Sequence, residues 1–272
     1  MDFDFRHVAV PFRMQPGLER LQEGVPHLTP LSTAHPLHPH KRAMVAARQS
    51  RLCVEGFDPA PALAAIAAQA QAEGLNWQPD GPVPLELAFE EDLAVLEGDG
   101  GTVPWLCVCA PSHWAPEDKL GQTFGAVHAP VADSGGLRDS ATSLVRVVTG
   151  GLRWERWVWS ISPSPRHDQH PRRHRPTPWS DTPDTQAFAR TCWLRVERQT
   201  FLPVPGTRQA VFTIRVQLEP LVSAVATPEV AARLHDSLAS MSEAVLEYKH
   251  LVAAKPRLLA WLHDRASGMG SQ

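Results

Sequence analysis

Two stretches late in the chain, Leu194 to Phe201 and Val211 to Leu218, constrain the fold more than any other feature. The first sets Leu194 and Val196 against Arg195, Glu197 and Gln199; the second sets Phe212, Ile214, Val216 and Leu218 against Thr213, Arg215 and Gln217. A period of two is the period of a strand, so each stretch carries an apolar and a polar face. The link from Leu202 to Arg208 holds Pro203, Pro205 and Gly206, turn residues that join the two strands as an antiparallel hairpin. Arg195, Glu197, Gln199, Thr213, Arg215 and Gln217 then read as the second face of that hairpin. This face is either washed by solvent or the wall of a polar pocket under a helix layer.

The rest of the chain supplies partners for the hairpin. Arg153 to Ile161 is aromatic-rich and reads as a strand, and Val103 to Cys109 as a short buried one. Helices are expected over Lys41 to Cys53, Pro59 to Gly74, Glu117 to Val127 (opened by Pro116), Ser140 to Val148 and Pro228 to Leu238. A last helix is expected from Glu243 to His263, interrupted at Pro256, and a short amphipathic element over Leu85 to Leu96. Proline-rich segments around 26–39 and 163–183 read as loops, because proline lacks the N–H that helix and ladder both use. The expected class is α+β: one domain over residues 1–272, with an antiparallel sheet and helices gathered on one side. Residues 1–40 form an extended N-terminal arm and 228–265 the closing helices.

Composition narrows the function. A chain of 272 residues with 43% hydrophobic content can bury a large core. A net charge of −3 gives no positive field to draw phosphate, so nucleic acid is a poor default partner. The opening Met1-Asp2-Phe3-Asp4-Phe5 is acidic and unlike a secretory leader, and no apolar run approaches a membrane span. A cytoplasmic setting is expected, with no membrane partner. Cys53, Cys107, Cys109 and Cys192 form no C-x-x-C pair; they read as reduced thiols and a poor set for an iron–sulfur cluster.

The segment from Pro111 to Val131 concentrates Trp114, Lys119, His113 and His128 between an apolar run and a His-Ala-Pro turn, a density unusual for packing alone. Two histidine groups lie in proline-rich segments: His35, His38 and His40 as H-x-x-H-x-H, and His167, His170 and His174. Either can take zinc or nickel adventitiously, and both read first as loop histidines.

Taken in order, a further set of residues resembles one family. It runs through Pro11-Phe12-Arg13, Gly17-Leu18, Lys41-Arg42, Glu91-Asp92-Leu93, Pro111-Ser112-His113-Trp114, Lys119-Leu120-Gly121 and Val127-His128-Ala129-Pro130-Val131. It continues through Trp159-Ser160, Arg195-Val196-Glu197-Arg198-Gln199-Thr200, Phe212-Thr213-Ile214-Arg215 and Tyr248-Lys249. The chain resembles the haem-dependent oxidative N-demethylases over nearly its whole length. Three departures stand out. Val158 replaces an amide in the Arg-x-Asn-Trp-Ser pattern, His113 replaces an arginine, and Ala132-Asp133-Ser134-Gly135 follows where the family continues with Pro-Gly.

The resemblance implies a PAS-like sheet-and-helix fold holding haem b. It implies oxidative removal of a methyl group from a small secondary amine such as dimethylamine, with dioxygen consumed and formaldehyde released. Electrons would come from NADPH through a flavin and iron–sulfur reductase partner. His128 is the expected iron ligand, with His113 the alternative. Glu197, with Arg198 beside it, is the acid/base candidate. Arg195, Arg198 and Arg215 would pair haem propionates, or else form a cross-strand ion lattice. Lys119 would meet a propionate or stay solvated, and Trp114 and Trp159 would wall the haem or the amine, or simply pack in the core. A non-catalytic haem sensor or carrier, and a binding protein that has lost haem, suit the same scaffold.

Overall fold

The hairpin forms the centre of the molecule. In the computed structural model, which describes residues 1–129, 132 and 140–268, strand β6 (Trp193–Val204) and strand β7 (Gln209–Pro220) pair antiparallel along their full lengths. Around them lie β1 (Glu19–Arg20), β2 (Arg51–Cys53), β3 (Asp92–Glu97), β4 (Trp105–Cys107) and β5 (Trp154–Ser162). Together they make a seven-stranded sheet in the order β1-β5-β6-β7-β3-β4-β2, antiparallel at every pairing. The architecture is α+β.

Ten α-helices are described: α1 (Leu37–Ala46), α2 (Ala60–Ala72), α3 (Leu85–Ala88), α4 (Phe124–His128), α5 (Ala141–Val148), α6 (Thr185–Arg190), α7 (Leu221–Ala224), α8 (Pro228–Ala239), α9 (Glu243–Tyr248) and α10 (Lys255–Ala266). The larger ones gather on one face, as expected. There Leu194, Val196, Trp159 and Ile161 pack with Leu234, Leu238, Leu258 and Trp261, and Leu202, Val211 and Val95 pack with Ile66 and Ala70 of α2. The opposite face is not bare. Phe201, Ala210 and Leu96 meet Val145 and Val148 of α5, while Trp114 and Leu120 pack near Ala94, Leu106 and Phe212.

Several boundaries differ from the sequence expectation. Lys41 to Cys53 is not one helix: α1 ends, Arg48 adopts a left-handed φ of 55°, and Arg51–Cys53 joins the sheet against β4. Leu85 to Leu96 divides into α3 and β3. Strand β3 lies between β7 and β4 and is buried at all positions but Glu97, so it lacks the alternation that announces a strand. Glu117 to Val127 divides at Gly121, where φ is 71°. A 3-10 turn (Pro116–Asp118) precedes it and α4 follows, capped by Thr123 Oγ1 accepting from the Ala126 N–H. His128 therefore closes a helix rather than following one. Pro256 begins α10 instead of interrupting a longer helix, after His250 turns the chain at φ 56°. The arm is largely irregular, but Leu37 to His40 belongs to α1 and Glu19–Arg20 pairs with β5.

Register corrects one further expectation. Arg195 faces Leu218 across the hairpin, Glu197 faces Val216 and Gln199 faces Ile214; Arg198 faces Arg215, Thr200 faces Thr213 and Val196 faces Gln217. The polar row of β6 thus shares a face with the apolar row of β7. Thr213, Arg215 and Gln217 lie on the other side of the sheet. Each strand's alternation was legible, but the relative phase is set by the turn.

Candidate active site

Strand β5 repeats the alternation of β6. Val158 pairs with Glu197, Arg156 with Gln199 and Ser160 with Arg195, so these side chains share the face that carries α4 and α5. The loop before α4 crosses this face and delivers Ser112, Trp114 and Lys119.

Arg195 is buried, at 4% exposure. Its Nε and Nη2 donate to Ser112 Oγ at 2.9 and 2.6 Å, its Nη1 to the Arg166 carbonyl at 3.1 Å, and its Nη2 also to the His167 carbonyl at 2.8 Å. Burial lowers its basicity to about 10, with the Glu197, Asp168 and Asp92 charges opposing the shift. Ser112 Oγ in turn donates to Glu197 Oε1. Gln199 Nε2 donates to the other oxygen, Oε2, at 2.7 Å. Glu197 is thereby linked to a buried guanidinium through one hydroxyl, is aimed by two donors, and keeps lone pairs for a further one.

His128 Nδ1 lies 2.8 Å from the Phe124 carbonyl oxygen. A carbonyl only accepts, so this nitrogen carries the proton, and in the neutral ring Nε2 holds the lone pair. No described residue hydrogen-bonds Nε2. The ring lies against Phe124 with centroids 4.1 Å apart. Burial lowers its basicity, and the Arg156 and Lys119 charges add to that against the opposing carbonyl contact. A ring locked by an Nδ1–H bond to backbone, with the far nitrogen unprotonated, is the usual state of a metal-ligating histidine. Lys119 Nζ donates to the Val127 carbonyl at 3.1 Å, tying the loop to the end of α4.

Arg156 stands between these groups. Its charge acts on His128 and on Lys249, and it is itself acted on by Glu197 and Tyr248. It lines a narrow cleft with Pro16, Leu18, Phe124, Leu144, Val148 and Phe201, a cavity of about 20 Å³. No described residue hydrogen-bonds or ion-pairs with its guanidinium, and its Nε is buried without a partner. At the free edge of β5, Lys249 Nζ donates to the Trp159 carbonyl at 2.8 Å and lies 5.5 and 5.9 Å from the Phe12 and Trp159 rings. Burial brings its ammonium down to about 8, with Glu197 opposing and Arg156 assisting.

Of the sequence-selected residues, Glu197, Arg195, His128, Lys119 and Trp114 share this face. Arg198, Arg215 and Trp159 lie on the other. Arg198 donates to Glu155 and the Pro26 carbonyl and sits over Trp157. Arg215 pairs with Glu90 at 2.7 Å and Asp2 at 2.8 Å, and Trp159 packs in the main core. His113, in a left-handed backbone at φ 58°, sets its ring 5.0 Å from that of His250. Members of the two histidine groups contact carboxylates instead: His40 and His174 approach Asp168, and His170 meets Glu117. Among the described residues no cluster of three or more His, Cys, Asp or Glu side chains is arranged to hold a metal. Pro130, Val131, Asp133, Ser134 and Gly135, singled out from the sequence, lie outside the described residues. Sequence reasoning gave no role to Ser112, Arg156 or Lys249. The signal for Arg156 was available: alternation along β5 sets Arg156, Val158 and Ser160 opposite Trp157 and Trp159.

A carboxylate aimed by two donors, an imidazole with a ring nitrogen that no described residue engages and a cation without a described partner lie on one sheet face. Residues 79–259 match the family described as haem-dependent oxidative N-demethylase, alpha subunit-like, and the chain belongs to that family. Ser112, His128, Arg156, Arg195, Glu197 and Lys249 fall inside the matched span, while Phe12, Pro16 and Leu18 precede it. The donors present fit a haem: an imidazole nitrogen for iron, an apolar lining for the macrocycle, and a cation without an anion. The cleft as it stands has room for about one water.

Proposed function

We propose that this chain is the haem-holding subunit of an oxidative N-demethylase. It would act on a small secondary amine of the dimethylamine class, take electrons from NADPH through a flavin and iron–sulfur partner, and work in the cytoplasm as a single PAS-like domain. The observation that carries the reading is His128, whose Nδ1–H is fixed on the Phe124 carbonyl beside an apolar cleft. His128 would hold the iron. Haem, when bound, would supply the redox centre at which dioxygen is activated, and the electron balance requires one amine, one dioxygen, two electrons and two protons to give the demethylated amine, formaldehyde and water.

The chain's own groups would bind and orient the amine. A dialkylamine is protonated at neutral pH, and Glu197 offers it a carboxylate whose Oε1 and Oε2 are already oriented by Ser112 and Gln199. The buried Arg195 holds the Ser112 hydroxyl that donates to this carboxylate. Glu197 is also the group able to take the ammonium proton. Val158, directly opposite Glu197 across the strand pair, adds an apolar neighbour that suits a methyl group.

The test is turnover. Haem-loaded protein supplied with a reductase, NADPH and dimethylamine should release formaldehyde in step with NADPH consumed, and Glu197→Gln should lose most of that rate while keeping its haem spectrum. Haem-loaded protein that reduces normally yet releases no formaldehyde from any small secondary amine would favour the sensor or carrier reading.

A further inference from the structure

We infer that Arg156 is the carboxylate anchor of this cleft, pairing with a propionate of the haem; the inference rests on the haem reading above. A count of free donors carries it. Arg195 has each guanidinium nitrogen committed to Ser112 or to the carbonyls of Arg166 and His167. Arg215 is committed to Glu90 and Asp2. Arg198 commits Nε to Glu155 and Nη1 to the Pro26 carbonyl on the far face, away from this cleft, and its Nη2 is buried without a partner. Arg156 alone among these four commits no nitrogen to a described residue, and its buried Nε is unpartnered.

A buried guanidinium nitrogen without a partner is costly, and a half-buried arginine at the lip of an apolar cleft suits an anion from outside the described residues. Phe124, Leu144, Val148 and Phe201 line the same cleft and offer no anion. The charge of Glu197 acts on Arg156, but the two make no hydrogen bond or ion pair, and the carboxylate is turned to Ser112 and Gln199. Lys119 and Lys249 are each turned to a backbone carbonyl, of Val127 and of Trp159, and neither lines the cleft. The required ligand is therefore an amphiphile with an apolar body and a carboxylate. A haem propionate meets that description, and the fork of an arginine matches it in two parallel hydrogen bonds.

Two titrations of the purified full chain test this, one with iron protoporphyrin IX and one with its dimethyl ester. The wild type should bind the free acid at least about tenfold more tightly than the ester, the value of one charged hydrogen bond. Arg156→Gln should bring that ratio close to one, Arg156→Lys should keep part of it, and Arg198→Gln on the far face should keep it whole. Without haem, Arg156→Gln should unfold at the wild-type temperature or above, because it removes a buried charged donor that no described residue satisfies; a purely structural arginine would give a lower value. A wild-type ratio near one, or a full ratio retained in Arg156→Gln, overturns the assignment. A chain that gives no Soret band with either porphyrin overturns the haem reading itself, which separates the two failures.

Discussion

Replacing Ser112 with alanine isolates the link between the buried arginine and Glu197. Among the described residues Ser112 Oγ is the one partner of Arg195 Nε, whereas Nη1 and Nη2 keep the carbonyls of Arg166 and His167. Ser112→Ala therefore orphans one buried charged donor, at a cost of about 1–3 kcal/mol. Glu197 is half-buried and keeps Gln199 Nε2, so water can replace the lost hydroxyl there at little cost. A net loss of about 2 kcal/mol corresponds to a fall in Tm of roughly 4–8 °C for a chain of this size. Denaturant unfolding of the full chain measures it directly. In an Arg195→Met background the same substitution should cost less than about 0.5 kcal/mol, because the donor it would orphan is gone, and Ser112→Thr should restore most of the stability. An equal cost of Ser112→Ala in both backgrounds would refute the bridging role.

Two further outcomes follow from other residues. Arg198→Met should destabilise the fold by about 3 kcal/mol, since it strips the ion pair from Glu155 and leaves the Pro26 carbonyl without its donor, yet leave the haem spectrum unchanged; a spectral change would mean that the far face reaches the site. His27 is held neutral, its basicity lowered from 6.5 to about 3 by burial with Arg153 and Arg198 adding to the effect. The unfolded chain binds this proton near 6.5 and the folded chain only near 3, so stability falls as pH drops through that window and is unaffected above it. His27→Gln should flatten the acid loss by about 1.4 kcal/mol per pH unit inside the window, read from denaturant midpoints at pH 7 and pH 4.5. Parallel curves for the two proteins would contradict the assignment.

How much of this was readable from the residues depended on where the deciding information lay. The hairpin was legible because Leu194 to Phe201 and Val211 to Leu218 alternate on their own. Its phase was not, because whether Arg195 meets Leu218 or Gln217 depends on the number of turn residues between Val204 and Gln209. That phase moved Arg215 away from Glu197, while Arg198 lies on the far face by the alternation of β6 itself. Strand β3 was missed because an interior strand buried on both faces has no polar rhythm to read. Glu197 and His128 stood out because their types suit the chemistry. Arg156 did not, since what singles it out is the absence of a described partner, a property of the folded arrangement and not of the residue. Ser112 was obscured in the same way: a serine in a loop becomes informative only once the distance to Arg195 is known.

The most direct test of the central claim is a haem titration of the purified full chain followed by absorption, for the wild type and for His128→Ala. The wild type should saturate at one haem per chain with the sharp Soret band of an imidazole-bound haem. His128→Ala should weaken binding and shift that band, and added imidazole should restore it. An unchanged band and affinity in His128→Ala, or a wild-type chain that stays colourless with excess haem, would contradict the account.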